Sequence, residues 1–591
     1  MTRDWQGLPK WQILHTCFDD GQLFLKTWRA WQDTHERPRV LHVVALCQHP
    51  PKPEALLHAC DNDATLLLLA SELRDHWFGL LPGFHRFLLA KGQLVLTLCV
   101  GDALQSLRQH NFFADEVILS LGKTALPGAF DVQNSWAIKA LARCCRRGTL
   151  LHGHLPAGSQ TADLLHPLCA NGFAVSQTPL PTADGANLTF QARFDPPWPL
   201  KTSRQSQTAA LPIQRCAVIG AGLAGASVAA ALARRGWQVQ VLDAAPAPAA
   251  GASGLPVGLV VPHTSSDDCP LSRLSRAGVR LTLQQVRQHL QEGLHWAASG
   301  VLERQVGGTP QLPAHWPHEG RDWSHTATNR LSDGPGLWHP QAAWIKPAEL
   351  VQAWLNQPGV CFQGNTKVSH LHQEAGVWQL LDGQQRVLCS AERVVFANAA
   401  AAQPLLDSLA NTARHLAPQL QKLPNMQGMR GLLSWALHSR SSAMASAFPP
   451  FPVNGFSGLV PHVPTDHGPA WFMGSTYQPE QQLERPDADN HSHNFDHLQE
   501  LLPCLAAPLA ATFASGALQT WKGTRCISAD RLPLVGPLEA AEQPSLWLCA
   551  ALGSRGLSFS VLCAELLAAQ MGAEPWPLEA KLAKALNALR G

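Results

Sequence analysis

Along the first third of the chain, apolar positions fall into runs of two lengths. Val40 to Leu46 (VLHVVAL), Gln93 to Val100 (QLVLTLCV) and Asp115 to Leu121 (DEVILSL) have strand length and are rich in Val, Leu and Ile. Between them lie stretches of helical length such as Asp63 to Trp77 (DATLLLLASELRDHW). Strand and helix in alternation predict an open parallel sheet flanked by helices. The opening segment, Ile13 to Gln32 (ILHTCFDDGQLFLKTWRAWQ), reads as strand, turn and amphipathic helix. That is the layout of a cofactor loop, yet an acidic pair stands where a phosphate- or carboxylate-binding loop wants glycines.

From Phe194 to Pro212 (FDPPWPLKTSRQSQTAALP) prolines and small polar residues replace the apolar pattern, as in an interdomain linker. A second α/β segment follows, CAVIGAGLAGASVAAALARRGWQVQVLDA from Cys216. Its first strand delivers Gly220, Gly222 and Gly225 in G-x-G-x-x-G spacing to an alanine-rich helix, and its second strand ends on Asp243. Gly220 permits the tight turn, Gly222 lets backbone amides approach a pyrophosphate, Gly225 allows helix and strand to pack closely, and Asp243 can accept from a ribose. The expectation is a dinucleotide site, with NAD and FAD both open at this point. Further on, Gly251 begins GASGLPVGLVVP, and near the C-terminus a strand LWLCAAL meets GSRGLSFS and a last long helix. That second glycine-flanked helix start, Gly553 to Gly556, offers a positive dipole end and free amides to an electron-rich ring.

A chain of 591 residues is too long for one core, which suggests roughly two to four domains. With 46% hydrophobic and 15% charged residues it is an ordinary globular chain, and a net charge of +2 neither demands nor excludes a polyanionic partner. The start has no apolar signal region and no run of eighteen apolar residues occurs, so neither export nor membrane spanning is expected, and a cytoplasmic protein is. Its 15 cysteines, without a C-x-x-C pair, fit reduced and mostly buried thiols.

The order G-x-G-x-x-G, acid, GASG, VVFAN (Val394 to Asn398), GTRCISADRLPLVG (Gly523 to Gly536) and GSRGLSFS resembles the D-amino-acid oxidase and glycine oxidase superfamily of FAD enzymes. Within it, the second half resembles the oxidase half of the MnmC family of bifunctional tRNA-modifying proteins. The resemblance implies an α/β chain: an N-terminal Rossmann-like methyltransferase fold, then a D-amino-acid oxidase-like FAD-binding Rossmann domain with an inserted α+β substrate domain. The boundaries expected are 1–195 for the first domain, 196–212 for the linker and 213–591 for the oxidoreductase. FAD-binding elements are expected at about 213–280, 340–410 and 520–591, and substrate-domain elements at about 281–339 and 411–519.

By that resemblance FAD lies against Gly220, Gly222, Gly225, Asp243, Gly251, Ala252, Ser253, Gly553, Ser554, Arg555, Gly556 and Leu557. The substrate is tRNA, from whose 5-carboxymethylaminomethyl wobble uridine the carboxymethyl group is removed oxidatively. Arg525, in GTRC, takes the place of the carboxylate-binding arginine, and a guanidinium fork suits that task. Tyr477, in MGSTYQ, is a second candidate, as a cap on the substrate. Ala342 and Ala343 stand where the family pattern has paired glycines.

The family's first half resembles an S-adenosylmethionine methyltransferase whose cofactor loop reads G-F-G-T-G-L-N-F. Anchored on Phe18, Gly21, Phe24 and Trp28, that loop becomes CFDDGQLF, which replaces two glycines by Cys17 and Asp19. Cys47 stands where an acid would hold the ribose, Ser120 stands at the family's presumed catalytic aspartate, and Asp102 alone persists. Few residues precede the first strand, where the family has a leader. A methyltransferase-like domain that no longer methylates is expected.

Other signals carry less. Arg143 to Gly148 (RCCRRG) is a basic cluster that reads as a solvated helix end or a tRNA contact. His491, His493, Asp496 and His497, in DADNHSHNFDH, read as a polar, solvated excursion rather than a metal site. Neither metal nor membrane is an expected partner. Two alternative functions remain: an oxidase of free glycine, sarcosine or D-amino acids, and a non-catalytic flavin-bound scaffold on tRNA.

Overall fold

The computed structural model describes every residue except 1–3, 61–62, 121–126, 157–160, 177–179, 182–186, 201–209, 305–310, 329, 332–334, 439–445 and 591. It forms two compact units. One comprises Met1–Ile213, Arg234–Gly236 and Glu565–Lys584, the other Gln214–Ala233, Trp237–Ala564 and Ala585–Gly591.

In the first unit the strand Lys10–His15 pairs in parallel with Val40–Cys47 on one side and Ala114–Ser120 on the other. Leu94–Val100 and Cys145–Pro156 extend the parallel set outward, and antiparallel Gly83–Leu89 and Asn187–Phe194 follow them. Val40–Cys47 is buried at every position, so both faces of the sheet are covered and its sequence is a continuous apolar run. The helices Gln22–Asp33 and Ala64–Arg74 place Phe24, Trp28, Leu66 and Leu73 in the core of one face. Asp63 caps the second helix by accepting from the amides of Thr65 and Leu66 at 3.0 and 3.1 Å.

Arg235 ties the later segments of this unit together. Its guanidinium donates to Glu574 at 2.8 Å and to Glu565 at 3.0 Å. Burial pushes the Glu565 carboxyl up, but Arg235 and Arg234 outweigh it and hold its pKa near 2, so the carboxylate stays charged. Removing one member of such a buried pair strands the other charge, at a cost of about 3–5 kcal/mol.

In the second unit Arg215–Ile219 pairs in parallel with Gln238–Leu242 and with Arg393–Phe396. Val360–Gln363 and Leu546–Ala550 continue the sheet, and Leu534–Pro537 closes it antiparallel. Strand order reverses between Arg215–Ile219 and Arg393–Phe396, which makes the crevice beyond their carboxyl ends a topological switch point, where open α/β sheets bind ligands. A second, largely antiparallel sheet runs in the order His325–Ala327, Gly336–His339, Val301–Glu303, Val453–Asn454, Gly458–Thr465, Gly468–Gly474 and Met426–Leu437. Gln519–Ser528 also pairs with Met426–Leu437. The chain is therefore α/β with two Rossmann-like sheets and an inserted sheet. No helix among the described residues is long and apolar enough to cross a membrane.

Two segments differ from the sequence expectation. DADNHSHNFDH is not an irregular excursion but the first turns of the helix Asp487–Leu501. Asn490, Asn494, Leu498 and Leu501 form its buried face, and Asn494 donates to the Leu432 carbonyl at 3.2 Å and to Ser434 Oγ at 2.9 Å. Amides replace apolar residues on that face, which hides the helical period. Within the basic cluster, Arg146 pairs with Asp115 and Arg147 with Asp195, which leaves Arg143 at the end of the helix Ser135–Arg143. Most of the expected linker, 201–209, lies outside the described residues.

Candidate active site

A cavity of about 1220 Å³ opens at the switch point of the second unit. Single small-molecule sites measure about 300–1,000 Å³, so this one has room for a dinucleotide and a substrate tail together.

One end is the glycine turn. Gly220 has φ +107°, and a Cβ there would lie 2.7 Å from the Ala397 carbonyl oxygen. At Gly222 a Cβ would come within 2.9 Å of Ser253 Oγ, and that hydroxyl accepts from the Leu223 amide at 2.9 Å. Gly225 does not line the cavity. A Cβ on it would be 1.8 Å from the Gly220 carbonyl oxygen, so its role is to let the helix Leu223–Arg234 press against the turn. The Asp243 carboxylate receives the amides of Ala221 at 2.7 Å and Ala245 at 2.9 Å and still faces the cavity. Gly251, Ala252 and Ser253 line the cavity, as do Gly553, Ser554, Arg555, Gly556 and Leu557, which follow the strand Leu546–Ala550. Asn398, just past Arg393–Phe396, holds a buried Oδ1 without a hydrogen-bond partner. Close-approach glycines, an acid at the end of the second strand and an orphaned amide oxygen fit a ribose- and pyrophosphate-bearing cofactor such as FAD.

The other end belongs to the inserted sheet. Arg525 lies within the strand Gln519–Ser528, opposite Met429. Its Nη2 donates to Ser475 Oγ at 2.6 Å and to the Thr476 carbonyl at 3.2 Å, and its Nη1 to Ser554 Oγ at 3.2 Å. The guanidinium carbon is 4.3 Å from the Tyr477 ring centre. Tyr477 is 44% exposed and lines the cavity, so its ring covers the arginine instead of filling a core. Arg555 opens into the same space, and the protein around it lowers its pKa through burial. His263 shares a 2.9 Å hydrogen bond with Ser272 Oγ, and burial together with Arg555 lowers its pKa, which keeps the imidazole neutral near pH 7.

Every candidate residue of the second half except Gly225 thus faces one cavity. Sequence reading missed Glu303, Asn454 and Gly431. Glu303 and Asn454 sit on short strands with no motif, and Gly431 lies in a longer strand without turn chemistry, its lack of a side chain leaving room for Arg525 Nη2. Ala342 and Ala343, where paired glycines were expected, are fully buried, and the Ala342 carbonyl accepts from the Gly300 amide at 3.0 Å.

In the first unit the loop after Lys10–His15 is tightly held. The Phe18 amide donates to the Leu46 carbonyl at 2.8 Å, and its ring stacks on Trp77 at 5.4 Å. Asp19 is exposed at φ +50°, and Asp20 accepts from the Gln22 amide at 3.0 Å. Cys47 is buried, which pushes its thiol up to about 12, so it offers no anion to a ribose. The backbone amide and carbonyl of Ser120 bond Thr16 Oγ1 at 3.0 and 2.8 Å, and Asp102 accepts from the Gln105 amide as a helix cap.

Residues 215–570 match the family model described as DAO, FAD dependent oxidoreductase. The chain is 49% identical to the tRNA 5-methylaminomethyl-2-thiouridine biosynthesis bifunctional protein MnmC of Albidiferax ferrireducens, over 99% of this chain and 94% of that one. With the protein of the same name from Polaromonas naphthalenivorans it shares 44% identity, over 98% and 90% of the two chains. A crystal structure of glycine oxidase from Bacillus cereus covers 61% of this chain and 94% of its own, at 18% identity and a TM-score of 0.47.

Proposed function

The chain belongs to the MnmC family, and its second half is an FAD-dependent oxidoreductase; from that premise we propose that it removes the carboxymethyl group from 5-carboxymethylaminomethyl-uridine at the wobble position of tRNA. The relatives' names supply the tRNA. One observation carries the reading of the tail: an arginine fork, Arg525, held by Ser475, Thr476 and Ser554, faces the cavity that begins at the glycine turn. An N-carboxymethyl group ends in a carboxylate, and a guanidinium is the side chain that fixes a carboxylate by direction as well as charge.

In this reading Gly220, Gly222, Asp243, Gly251, Ala252 and Ser253 would hold the nucleotide part of FAD, Gly225 packs the helix against the turn, and Gly553 to Leu557 would receive the flavin. Bound FAD would supply a hydride acceptor for the CH2 between nitrogen and carboxylate once the amine has given up its proton, and water would then release glyoxylate from the imine and leave the aminomethyl base. Protein groups do the placing. Arg525 anchors the carboxylate and Tyr477 roofs it, so the reacting carbon is held at one depth. Mass analysis of wobble nucleosides from cells lacking the gene tests this: carboxymethylaminomethyl-uridine accumulates if the reading holds, and an unaltered profile refutes it.

The domain of residues 1–195 is proposed to have lost methylation. Supporting this, Asp19 and Asp20 stand at the loop where the methionine carboxylate of S-adenosylmethionine would lie, and like charges a few ångströms apart cost on the order of 1 kcal/mol even with partial screening. Cys47 offers no acid, and the backbone of Ser120 is tied to Thr16. Calorimetry is expected to detect no S-adenosylmethionine binding. Micromolar binding with methyl transfer to aminomethyl-tRNA would overturn the proposal.

A further inference from the structure

The cavity's lining includes two acids, Asp243 at the glycine turn and Glu303 on the inserted sheet. Glu303 has no part in holding a nucleotide, and nothing above assigns it a task.

Its position follows from strand register. Val301–Glu303 lies between antiparallel Gly336–His339 and parallel Val453–Asn454. Val301 faces His339 and Glu303 faces Asn454, so Glu303 and His339 are diagonal neighbours on one face of the sheet, within reach of long side chains. The contact is made: His339 Nε2 lies 3.1 Å from Glu303 Oε2. The other ring nitrogen, Nδ1, shares a 2.8 Å hydrogen bond with Ser324 Oγ, and both His339 and Ser324 are fully buried. With both nitrogens engaged and no space to turn, the imidazole fixes where the carboxylate points. About a fifth of the Glu303 side chain, 21%, remains accessible.

Asn454 completes the arrangement. It lines the cavity beside Glu303, and its buried Oδ1 has no hydrogen-bond partner. Of these two acceptors the Glu303 carboxylate is already held by His339 and lies within the field of Arg555, whereas the Asn454 oxygen is unpaired, and a buried acceptor left so costs free energy unless a ligand donates to it. The ligand group that matches is a cation with two N–H donors. A secondary amine between two CH2 groups is protonated at neutral pH, as an alkylamine with a pKa of about 10 must be, and carries two such donors.

Resting on the N-carboxymethylamine reading above, we infer that Glu303, aimed by His339 and assisted by Asn454 Oδ1, receives the positively charged secondary amine of the substrate. Arg525 takes the carboxylate and Glu303 the ammonium, so the two ends of the tail are read by opposite charges. His339 acts through Glu303 and is a positioning residue.

The test separates the ammonium from the rest of the substrate. Two anticodon stem-loops are made, one with 5-carboxymethylaminomethyl-uridine at the wobble position and one with an ether oxygen replacing the amine. Binding to the full-length holoenzyme, chemically reduced so that no turnover occurs, is measured by fluorescence polarisation. The wild type is expected to prefer the amine about tenfold or more, the yield of one charge-assisted contact. Glu303→Gln is expected to bring the preference within about threefold while ether binding stays at the wild-type level. Retention of the full preference by Glu303→Gln, or an equal loss for both stem-loops, overturns the inference. Should Glu303→Gln not fold, Glu303→Asp is read instead: a reduced preference supports the inference and an undiminished one sinks it. Equal wild-type affinity for the two stem-loops removes the inference alone, whereas no wild-type binding to either removes the tRNA reading and the inference with it.

Discussion

Gly431→Ala tests the arginine anchor without touching the arginine. Gly431 lies in the strand Met426–Leu437, and its φ is not in the left-handed region, so alanine suits its backbone. Its Cβ, however, would be 1.9 Å from Arg525 Nη2, 3.0 Å from Arg525 Cζ and 2.9 Å from the Thr476 carbonyl oxygen. To regain van der Waals distance the guanidinium must retreat by about 1.5 Å or more. Its hydrogen bonds to Ser475, Thr476 and Ser554, at 2.6, 3.2 and 3.2 Å, do not survive such a move with good geometry. Each charge-assisted bond from the displaced fork to a substrate carboxylate is worth about 1.5–3 kcal/mol. Losing the equivalent of one, or part of each of two, amounts to about 2.7 kcal/mol, or about 10²-fold in kcat/KM. The assay is steady-state oxidation of carboxymethylaminomethyl-tRNA, with flavin content read from the visible spectrum. Flavin content is expected to match wild type, because Gly431 is not part of the glycine turn. A Gly431→Ala enzyme within about threefold of wild-type kcat/KM would refute the assignment of Arg525.

Three further perturbations have worked directions. Arg525→Met is expected to lower kcat/KM for the same tRNA by about 10²-fold, and Arg525→Lys by less, since it keeps the charge but not the fork; wild-type activity in Arg525→Lys would argue against directional recognition. Gly220→Ala forces a side chain into φ +107° and against the Ala397 carbonyl, so the purified protein is expected to be colourless, with a normal far-ultraviolet circular dichroism spectrum as the check that it folds. Burial raises the Glu116 carboxyl to about 7, only partly offset by the Trp11 indole N–H that donates to it at 3.2 Å. A raised acid makes the folded state hold its proton more tightly than the unfolded chain, so stability is greatest below about pH 4.5, falls as pH rises and has lost its full share above about pH 7. Glu116→Gln removes that penalty and is expected to stabilise the first unit by on the order of 1 kcal/mol or more at pH 8 and to do nothing near pH 4.5, as read by differential scanning calorimetry.

The parts of the site that can be read from the chain alone are those whose cause is local. A Cβ at Gly220 would strike the end of the neighbouring strand and one at Gly225 its own turn, Gly222 closes on the Ser253 hydroxyl, and Asp243 ends the adjoining strand; for Gly220, Gly225 and Asp243 the spacing therefore carries the geometry. The same holds for the buried run Val40–Cys47, whose apolar residues announce a strand covered on both faces. Arg525 is legible only through the residues around it that resemble a family, since what makes it an anchor is Ser475, Thr476 and Ser554, distant along the chain. Glu303 is illegible, because a three-residue strand has no period and the partner that aims it, His339, is joined to it only by sheet register. The helix Asp487–Leu501 misleads for a related reason. Its inward positions include Asn490, which donates to the Arg485 carbonyl just ahead of the helix, and Asn494, which donates to the Leu432 carbonyl across the fold; these bonds make polar residues suitable for burial, and a scan for apolar periodicity passes over them.

The central claim, that a flavin site in the second half acts on the carboxymethylated amine of a tRNA base, is tested most directly by anaerobic bleaching of the flavin. The purified yellow protein is mixed in turn with tRNA bearing 5-carboxymethylaminomethyl-uridine, with glycine and with sarcosine, and absorbance near 450 nm, the usual flavin band, is followed. Loss of colour with the modified tRNA alone is the expected result. Bleaching by glycine or sarcosine but not by the tRNA would contradict the account and make the protein an oxidase of small amines.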